Sequence, residues 1–386
     1  NFDEYIDGYL IKMRLALFLT SRGSLEQWSR SGMLEREIAI YRRMASRGVG
    51  VDFVSYGGRG EREFLTTFQE AGIAANSLGL PGKIYSRLIP MLHKNLLHRA
   101  DIIKSNQIMG ADAALGAARR FDKKFIARCG YLHSEFAEKA YGEESPAARS
   151  ARALERRVFR GADRIVLTTE EMRNRVQNLY APDERKIRII PNYVDTDKFS
   201  PGERGKERRV IFIGRLVEQK NISVLIEAME GINADLDIIG EGHLRGTLEK
   251  QAGEKGVSVK FYGNLPHNDL PALLNRAAVF VLASHYEGHP KVLLEAMSCG
   301  VACVGADSDG IRGIVSDGEN ALLRPPTVDG IRSGIELLLN DERLAARIGL
   351  EARKYITENL SLDRISSMEY ALYEELAAEN VNTKEH

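Results

Sequence analysis

The sequence predicts two doubly wound, Rossmann-like α/β domains, and three observations lead there. Its 386 residues exceed what one hydrophobic core ordinarily spans, at roughly 100–200 residues per domain. Short apolar runs alternate with longer amphipathic stretches along nearly the whole length, the pattern of βα units and parallel sheets. Between the two series lies NYVDTDKFSPGERGKER, residues 192–208. It is rich in Pro, Gly and charge and lacks apolar periodicity, as a linker between two cores does.

In the first series, strands are expected at 14–20 (RLALFLT), 51–56 (VDFVSY), 101–106 (DIIKSN), 124–130 (KFIARCG), 164–169 (RIVLTT) and 186–192 (KIRIIPN). The second series places them at 209–214 (RVIFIG), 236–240 (LDIIG), 257–263 (VSVKFYG), 278–284 (AVFVLAS) and 301–306 (VACVGA). The domains so delimited are 1–192 and 200–357, followed by a helical segment and a polar tail over 358–386. The first dozen residues, NFDEYIDGYLIK, have no place in the first strand. Because Met13 would make a natural start, this prefix reads as upstream sequence.

Hydrophobic residues make up 44% of the chain and charged residues 28%, which excludes a disordered or collagen-like whole. Cys129, Cys299 and Cys303 are the three cysteines, too few and too oddly numbered for a disulfide framework, and no CxxC or His-rich cluster offers zinc spacing. A reducing compartment fits them. No run approaches the roughly 20 apolar residues of a bilayer span. The 54 Lys and Arg balance the 54 Asp and Glu, yet residues 1–200 hold 33 against 25 and the remainder 21 against 29. A basic first half suits an anionic membrane surface, an anionic acceptor or nucleic acid, without choosing among them.

The strongest chemical signal is SHYEGHPKVLLEAMSCG, residues 284–300, which follows an apolar strand directly and reads as strand, loop and helix. Pro290 suits the first helical turn and Gly300 the C-terminal stop. The amides of Gly288, His289 and Lys291 then sit at a helix N-terminus, a place for anions and above all phosphate. Glu287 stands in the loop and Glu295 one turn inside the helix, with seven residues between them. Either carboxylate is suited to accept hydrogen bonds from sugar hydroxyls. The bland alternative is a solvated loop with a Lys291–Glu295 helix salt bridge at i, i+4.

A second signal, IGRLVEQKN (213–221), begins where the first strand of that half ends. Gly214 permits a tight turn, Arg215 projects from the carboxyl edge of the sheet, and Lys220 opens the next helix. Open α/β sheets bind ligands at that edge. Two cations on such a loop can clamp a diphosphate, Arg bidentately and Lys as a point charge, although a solvated loop would account for them too. In IIGEGHLRGTLE (238–249), Gly240 and Gly242 follow a strand, but Arg245 stands where a dinucleotide fingerprint needs glycine. That argues against NAD.

These residues resemble the nucleotide-binding domain of the family-four glycosyltransferases, retaining enzymes of the GT-B fold marked by two glutamates separated by seven residues. The resemblance covers the strand-ending Gly214–Arg215 with Lys220, the GEGHL loop, FYGNLPHNDLPALLNRA, the Glu287–Glu295 pair and DGENALL at 317–323. SGMLEREIAIYRRMASRG (31–48) and PNYVDTDKFSP carry it more faintly into the first half. It implies two Rossmann-like domains facing across a cleft, an acceptor-binding first domain, a donor-binding second one, and a C-terminal helix crossing back to the first. Arg215 and Lys220 would hold the donor diphosphate, Glu295 the ribose, and Glu287 the sugar ring. Asn264 and Leu265 would meet the base, with Gly240 and Gly242 beside it. From the first domain, Gly32 would approach the phosphate, although Ser31 replaces the usual first glycine of that pair. His133 would reach the donor sugar, unless it is simply a core or surface histidine. Further departures are Ala302, where proline is common, and Gly313, where glutamate is frequent and a contact near the donor would change.

Asp195 with Asp197 and Asp307 with Asp309 resemble metal-binding Asp-x-Asp pairs. Turn chemistry accounts for the first, and two cations with a helix N-terminus already neutralise a leaving diphosphate, so neither metal nor cofactor is expected. The basic, amphipathic segment 82–100, with Ile84, Leu88, Leu92 and Leu96 roughly on one face, either covers a sheet or lies on an anionic bilayer. Trp28, in the polar stretch SRGSLEQWSRSG, either stacks on an acceptor sugar or anchors its loop.

The expectation is a metal-independent retaining glycosyltransferase, moving a hexosyl group from a nucleoside-diphosphate sugar to a saccharide or lipid-linked acceptor in bacterial envelope polysaccharide or glycolipid synthesis. It would be cytoplasmic or peripheral on the inner face of the membrane, without nucleic acid. A non-catalytic nucleotide-sugar-binding regulator and an epimerase of the same architecture are the alternatives.

Overall fold

The computed structural model describes residues 5–6, 9–67, 72–202 and 205–382. Parts of the expected prefix (1–4 and 7–8), of the linker (203–204) and of the polar tail (383–386) lie outside the described residues. The chain divides into two compact units, 1–191 with 366–386, and 192–365.

The first unit opens with Tyr5–Ile6 (β1) paired antiparallel to Tyr9–Leu10 (β2), so the prefix contains a hairpin of its own. Its main sheet has seven strands: β3 (Met13–Phe18), β4 (Val49–Val54), β5 (Ile73–Ala74), β6 (Ile102–Ser105), β7 (Lys124–Cys129), β8 (Arg164–Leu167) and β9 (Ile187–Ile189). They run parallel in the order β5-β4-β3-β6-β7-β8-β9. Helices on both faces bury the strands from both sides, which is why β3 and β4 read as near-continuous apolar runs. β5 escapes the sequence reading because two residues carry no period.

Lys104, in the middle of β6, is 1% exposed. It pairs with Glu369 and lies 3.0 Å from the Tyr373 hydroxyl, both on the last helix, Leu362–Asn382. A charge so buried is tolerable only when paired and hydrogen-bonded, and its partners lie more than 260 residues further on. On the same unit Trp28 takes the second of its two expected roles. Residues Leu25–Arg30 form a helix capped by Ser24, and Trp28 is 8% exposed. Its ring therefore anchors this turn and presents no face to a sugar.

The segment 82–100 forms two helices, Gly82–Leu92 and Lys94–Arg99, broken at His93. Tyr85, Ile89 and Leu97 are buried, one residue round from the expected stripe. Ile84 is 48% exposed and Leu92 37%. The stripe read from the sequence thus faces largely outward, beside Lys83, Arg87 and Lys94. No helix among the described residues is long and apolar enough to cross a membrane.

The second unit has a six-stranded parallel sheet of β10 (Glu207–Ile213), β11 (Asp235–Ile239), β12 (Val259–Gly263), β13 (Ala277–Leu282), β14 (Ala302–Ala306) and β15 (Leu322–Arg324), ordered β12-β11-β10-β13-β14-β15. The order reverses between β10 and β13, so their carboxyl ends flank the topological switch point where open α/β sheets take ligands. The expected linker begins as part of this unit. Val194 exchanges backbone hydrogen bonds with Leu360 and Leu362, and Phe199 is buried, its carbonyl accepting from Arg353 at 2.7 Å. Asp195 shapes the turn by accepting from the amides of Asp197 and Lys198 at 3.3 and 3.2 Å.

Candidate active site

The switch point gathers four of the sequence-predicted residues, Gly214, Arg215, Lys220 and Glu287. Gly214 and Arg215 leave the end of β10, and Lys220 follows in a short 3-10 turn, Glu218–Lys220. The helix expected to open at Lys220 starts at Ile222, because Asn221 adopts a left-handed conformation, φ 52°. From the end of β13 comes the loop 283–290 carrying Glu287. Lys220 is ion-paired with Glu287, whose Oε1 also accepts from Ser284 Oγ at 2.6 Å. Two further bonds join the loops: the His285 amide to the Gln219 carbonyl at 3.0 Å, and Gln219 Nε2 to the Tyr286 carbonyl at 2.8 Å. Neither Ser284 nor Gln219 was assigned a role from sequence: Gln219 bonds across 67 residues, which leaves no local pattern, and Ser284 gains its role only from the fold of the loop that brings Glu287 back onto it.

Arg215 differs from Lys220. Its side chain is exposed and makes no hydrogen bond or ion pair among the described residues, which leaves a guanidinium fork at the sheet edge for an anion. Nearby, burial pushes the Tyr286 phenol up, with the Glu287 carboxylate adding to the shift and Arg215 opposing it.

Gly240 and Gly242 have a packing reason to be glycine. A Cβ on Gly240 would lie 2.0 Å from the Gly214 carbonyl oxygen, and one on Gly242 2.2 Å from that of Leu216. The two strand-end loops meet backbone to backbone, with the Gly214 amide on Ile239 O and the Leu216 amide on Glu241 O, both at 2.9 Å. Asn264 is exposed and Leu265 half-buried just beyond β12, at the same edge of the sheet.

The helix carrying the second glutamate spans Lys291–Ser298. Pro290 is its N-cap rather than its first residue, and Gly300, φ 66°, follows its end. The preceding His289 is held from the linker by Asn192 Nδ2, which donates to its carbonyl at 2.6 Å, and Gly288 stands just before it. Lys291 lies over the Tyr193 ring, 5.5 Å from its centroid. Glu295 is 2% exposed, with Oε1 2.8 Å from His267 Nε2. Ribose hydroxyls would therefore reach its carboxylate only after a local opening. Burial, with Glu295 close by, pushes the neighbouring Cys299 thiol up to about 12.

Gly32 and His133 belong to the first unit. Gly32, φ 72°, separates the helices Leu25–Arg30 and Leu34–Ala45. His133 is the first residue of the helix His133–Tyr141, whose next amide, Ser134, donates to buried Glu155 at 2.9 Å. Of the acidic pairs considered for a metal, Asp307 is bound by Arg312 at 2.7 Å and Asp309 lies 3.7 Å from the same guanidinium. Among the described residues, no three His, Cys, Asp or Glu side chains are grouped so as to hold a metal ion.

Two family models match the chain, Glycosyltransferase Family 4 over residues 38–198 and Glycosyl transferases group 1 over 194–355. Glycogen synthase of Mycobacterium tuberculosis is 26% identical over 287 residues, covering 71% of this chain and 69% of its own. The GDP-mannose-dependent alpha-(1-6)-phosphatidylinositol monomannoside mannosyltransferase of Mycolicibacterium smegmatis is 30% identical over 235 residues, covering 54% and 61%. Sucrose-phosphate synthase from Thermosynechococcus elongatus superposes with a TM-score of 0.78 at 18% identity, over 95% of this chain and 100% of that one. Anabaena HepE in complex with UDP and glucose gives 0.75 at 17%, over 94% and 100%. At these identities the superpositions show a shared fold.

Proposed function

The chain belongs to the family-four-like glycosyltransferases of the GT-B fold, and from that premise we propose that it moves a hexosyl group from a nucleoside-diphosphate sugar to a hydroxyl with retention of anomeric configuration and without a metal. One observation carries this reading: Arg215, Lys220 and Glu287 converge on the switch point between β10 and β13. Two cations there match the diphosphate, and a carboxylate beside them matches sugar hydroxyls. The complex of HepE with UDP and glucose is a precedent on the same fold.

In this mechanism the donor diphosphate takes Arg215 and draws Lys220 from Glu287, which turns to a hydroxyl of the sugar. No carboxylate is assigned the role of covalent nucleophile. The C1–O bond to the diphosphate breaks heterolytically, its electron pair leaving with the nucleoside diphosphate. The acceptor hydroxyl attacks from the same face, and its proton passes to the departing phosphate oxygen. The chain contributes positioning and stabilisation of charge as it develops. Asn264 and Leu265 are assigned to the base, Glu295 to the ribose, and Gly288, His289, Pro290 and Lys291 to the phosphate end of the donor. Gly32 and His133 are the contacts assigned to the first unit.

For the acceptor, the excess of Lys and Arg in residues 1–200 favours a lipid-linked or anionic saccharide of the cell envelope. Related proteins include a lipopolysaccharide core biosynthesis glycosyltransferase of Rhizobium meliloti, in keeping with that class. Exposed Ile84, Met91 and Leu92 beside Lys83, Arg87 and Lys94 give a surface that matches an anionic bilayer. Nucleoside diphosphate release from UDP-, GDP- and ADP-sugars, with and without saccharide acceptors, tests the reading. Acceptor-dependent release supports it. Binding without release would make the chain a regulator, and a changed sugar still attached to nucleotide would make it an epimerase.

A further inference from the structure

Two side chains outside the assigned machinery, Lys198 and His267, connect in series to Glu295. His267, in the turn after β12, is 7% exposed. Its Nε2 is 2.8 Å from Glu295 Oε1 and its Nδ1 3.0 Å from Lys198 Nζ. The ring also packs against Phe199, centroid to centroid 4.9 Å, and Phe199 is 1% exposed. Lys198 is tied in turn to Asn268 Oδ1. The order is Lys198, His267, Glu295, and it joins the chain entering this unit to the helix Lys291–Ser298.

Hydrogen-bonding capacity decides the direction. An ammonium has donors and no lone pair, so the ring nitrogen facing it must accept. The imidazole is thereby held neutral with its proton on Nε2, and that N–H donates to the carboxylate. Second partners of this kind fix the tautomer and ring orientation of a histidine. The bond from His267 to Oε1 fixes the plane of the Glu295 carboxylate, and with it the directions along which ribose hydroxyls can donate.

We infer that His267 is a positioning residue for ribose recognition, orienting Glu295, and that Lys198 enforces the tautomer that lets it do so. The inference rests on the donor reading above, with Glu295 as the ribose ligand. Loss of a hydrogen bond to a charged group is worth roughly tenfold or more in affinity. It should appear as lost discrimination between ribose and a sugar without the hydroxyls.

The test is calorimetric titration with UDP, GDP and ADP, each against its 2′,3′-dideoxy analogue. Wild type should prefer the ribonucleotide of its base by about tenfold. His267→Ala should bring that ratio close to one, as should Glu295→Ala, Lys198→Met should lower it, and His267→Gln should restore part of it. A purely structural role would weaken both ligands alike, so an unchanged ratio in His267→Ala overturns the inference. Should His267→Ala fail to fold, Lys198→Met decides, and an unchanged ratio there overturns it too. A wild-type chain that binds the diphosphate without preference removes Glu295 as ribose ligand and the inference with it, while the donor reading stands. If none of the three diphosphates binds, both fall.

Discussion

Lys220 and Glu287, 67 residues apart in sequence, form an ion pair at the switch point of the second unit, with side chains only 12% and 8% exposed. The cation assigned to the diphosphate and the carboxylate assigned to the sugar thus neutralise each other until the donor separates them. Removing one partner of so buried a pair strands a charge, whereas removing both does not. Lys220→Met should cost about 3 kcal/mol of stability, and the double variant Lys220→Met/Glu287→Gln less than the sum of the two singles. Thermal unfolding of the four chains checks this. Additive losses would mean that the pair does not persist in solution.

Arg215 supplies the contrast, because its exposed guanidinium has no partner to abandon. Arg215→Ala should leave the melting temperature unchanged yet lower transfer by about 10²–10³, as loss of one oxyanion donor does. A variant with wild-type turnover would remove Arg215 from the diphosphate site.

The two glutamates should fail differently. Glu295, assigned to the ribose, makes a contact present equally in ground and transition states, so Glu295→Ala should mainly raise the donor KM. Glu287 is assigned to the ring whose anomeric carbon changes, so Glu287→Gln should lower kcat more than it raises KM. Steady-state kinetics separates the two, and a change in KM alone for both would make Glu287 a binding residue.

Transfer should survive EDTA with little loss if, as proposed, Arg215 and Lys220 supply the positive charge to the leaving group. Activity lost to EDTA and restored by Mg²⁺ or Mn²⁺ would bring Asp307 and Asp309 back into consideration.

The longer strands of both sheets were legible in the sequence because parallel strands buried on two faces leave apolar runs, and because glycine marks where β10 and β11 end, whereas β5 and β15, of two and three residues, were not. That Arg215 and Lys220 follow β10, and Glu287 follows β13, was legible from where the apolar runs stop. What the sequence hid was mutual. Lys104 in an apolar strand makes sense only beside Glu369, and His267 only between Lys198 and Glu295. Ser284 becomes notable only once Glu287 is seen folded back onto it. At 82–100 the period was read correctly and the phase was one residue out, because Tyr85, buried with its hydroxyl on the Ala74 carbonyl, takes the inward position that the sequence reading gave to Ile84.

That segment yields its own prediction. Met91 is 63% exposed and Ile84 48%, so Ile84→Glu/Met91→Glu should leave folding intact while weakening binding to phosphatidylglycerol vesicles at least several-fold. Co-sedimentation with phosphatidylcholine vesicles, which lack the charge, should be weak for both chains. Equal binding of the variant and wild type to anionic vesicles would remove this surface from membrane contact.

Most direct for the central claim is a proton and phosphorus NMR time course of the chain with its nucleotide-sugar donor and a saccharide acceptor. The account predicts that the donor anomeric signal is replaced by a product signal of the same anomeric configuration, as free nucleoside diphosphate appears in equal amount. A product of inverted configuration, or a donor spectrum unchanged over the full course with every base and acceptor tried, would contradict it.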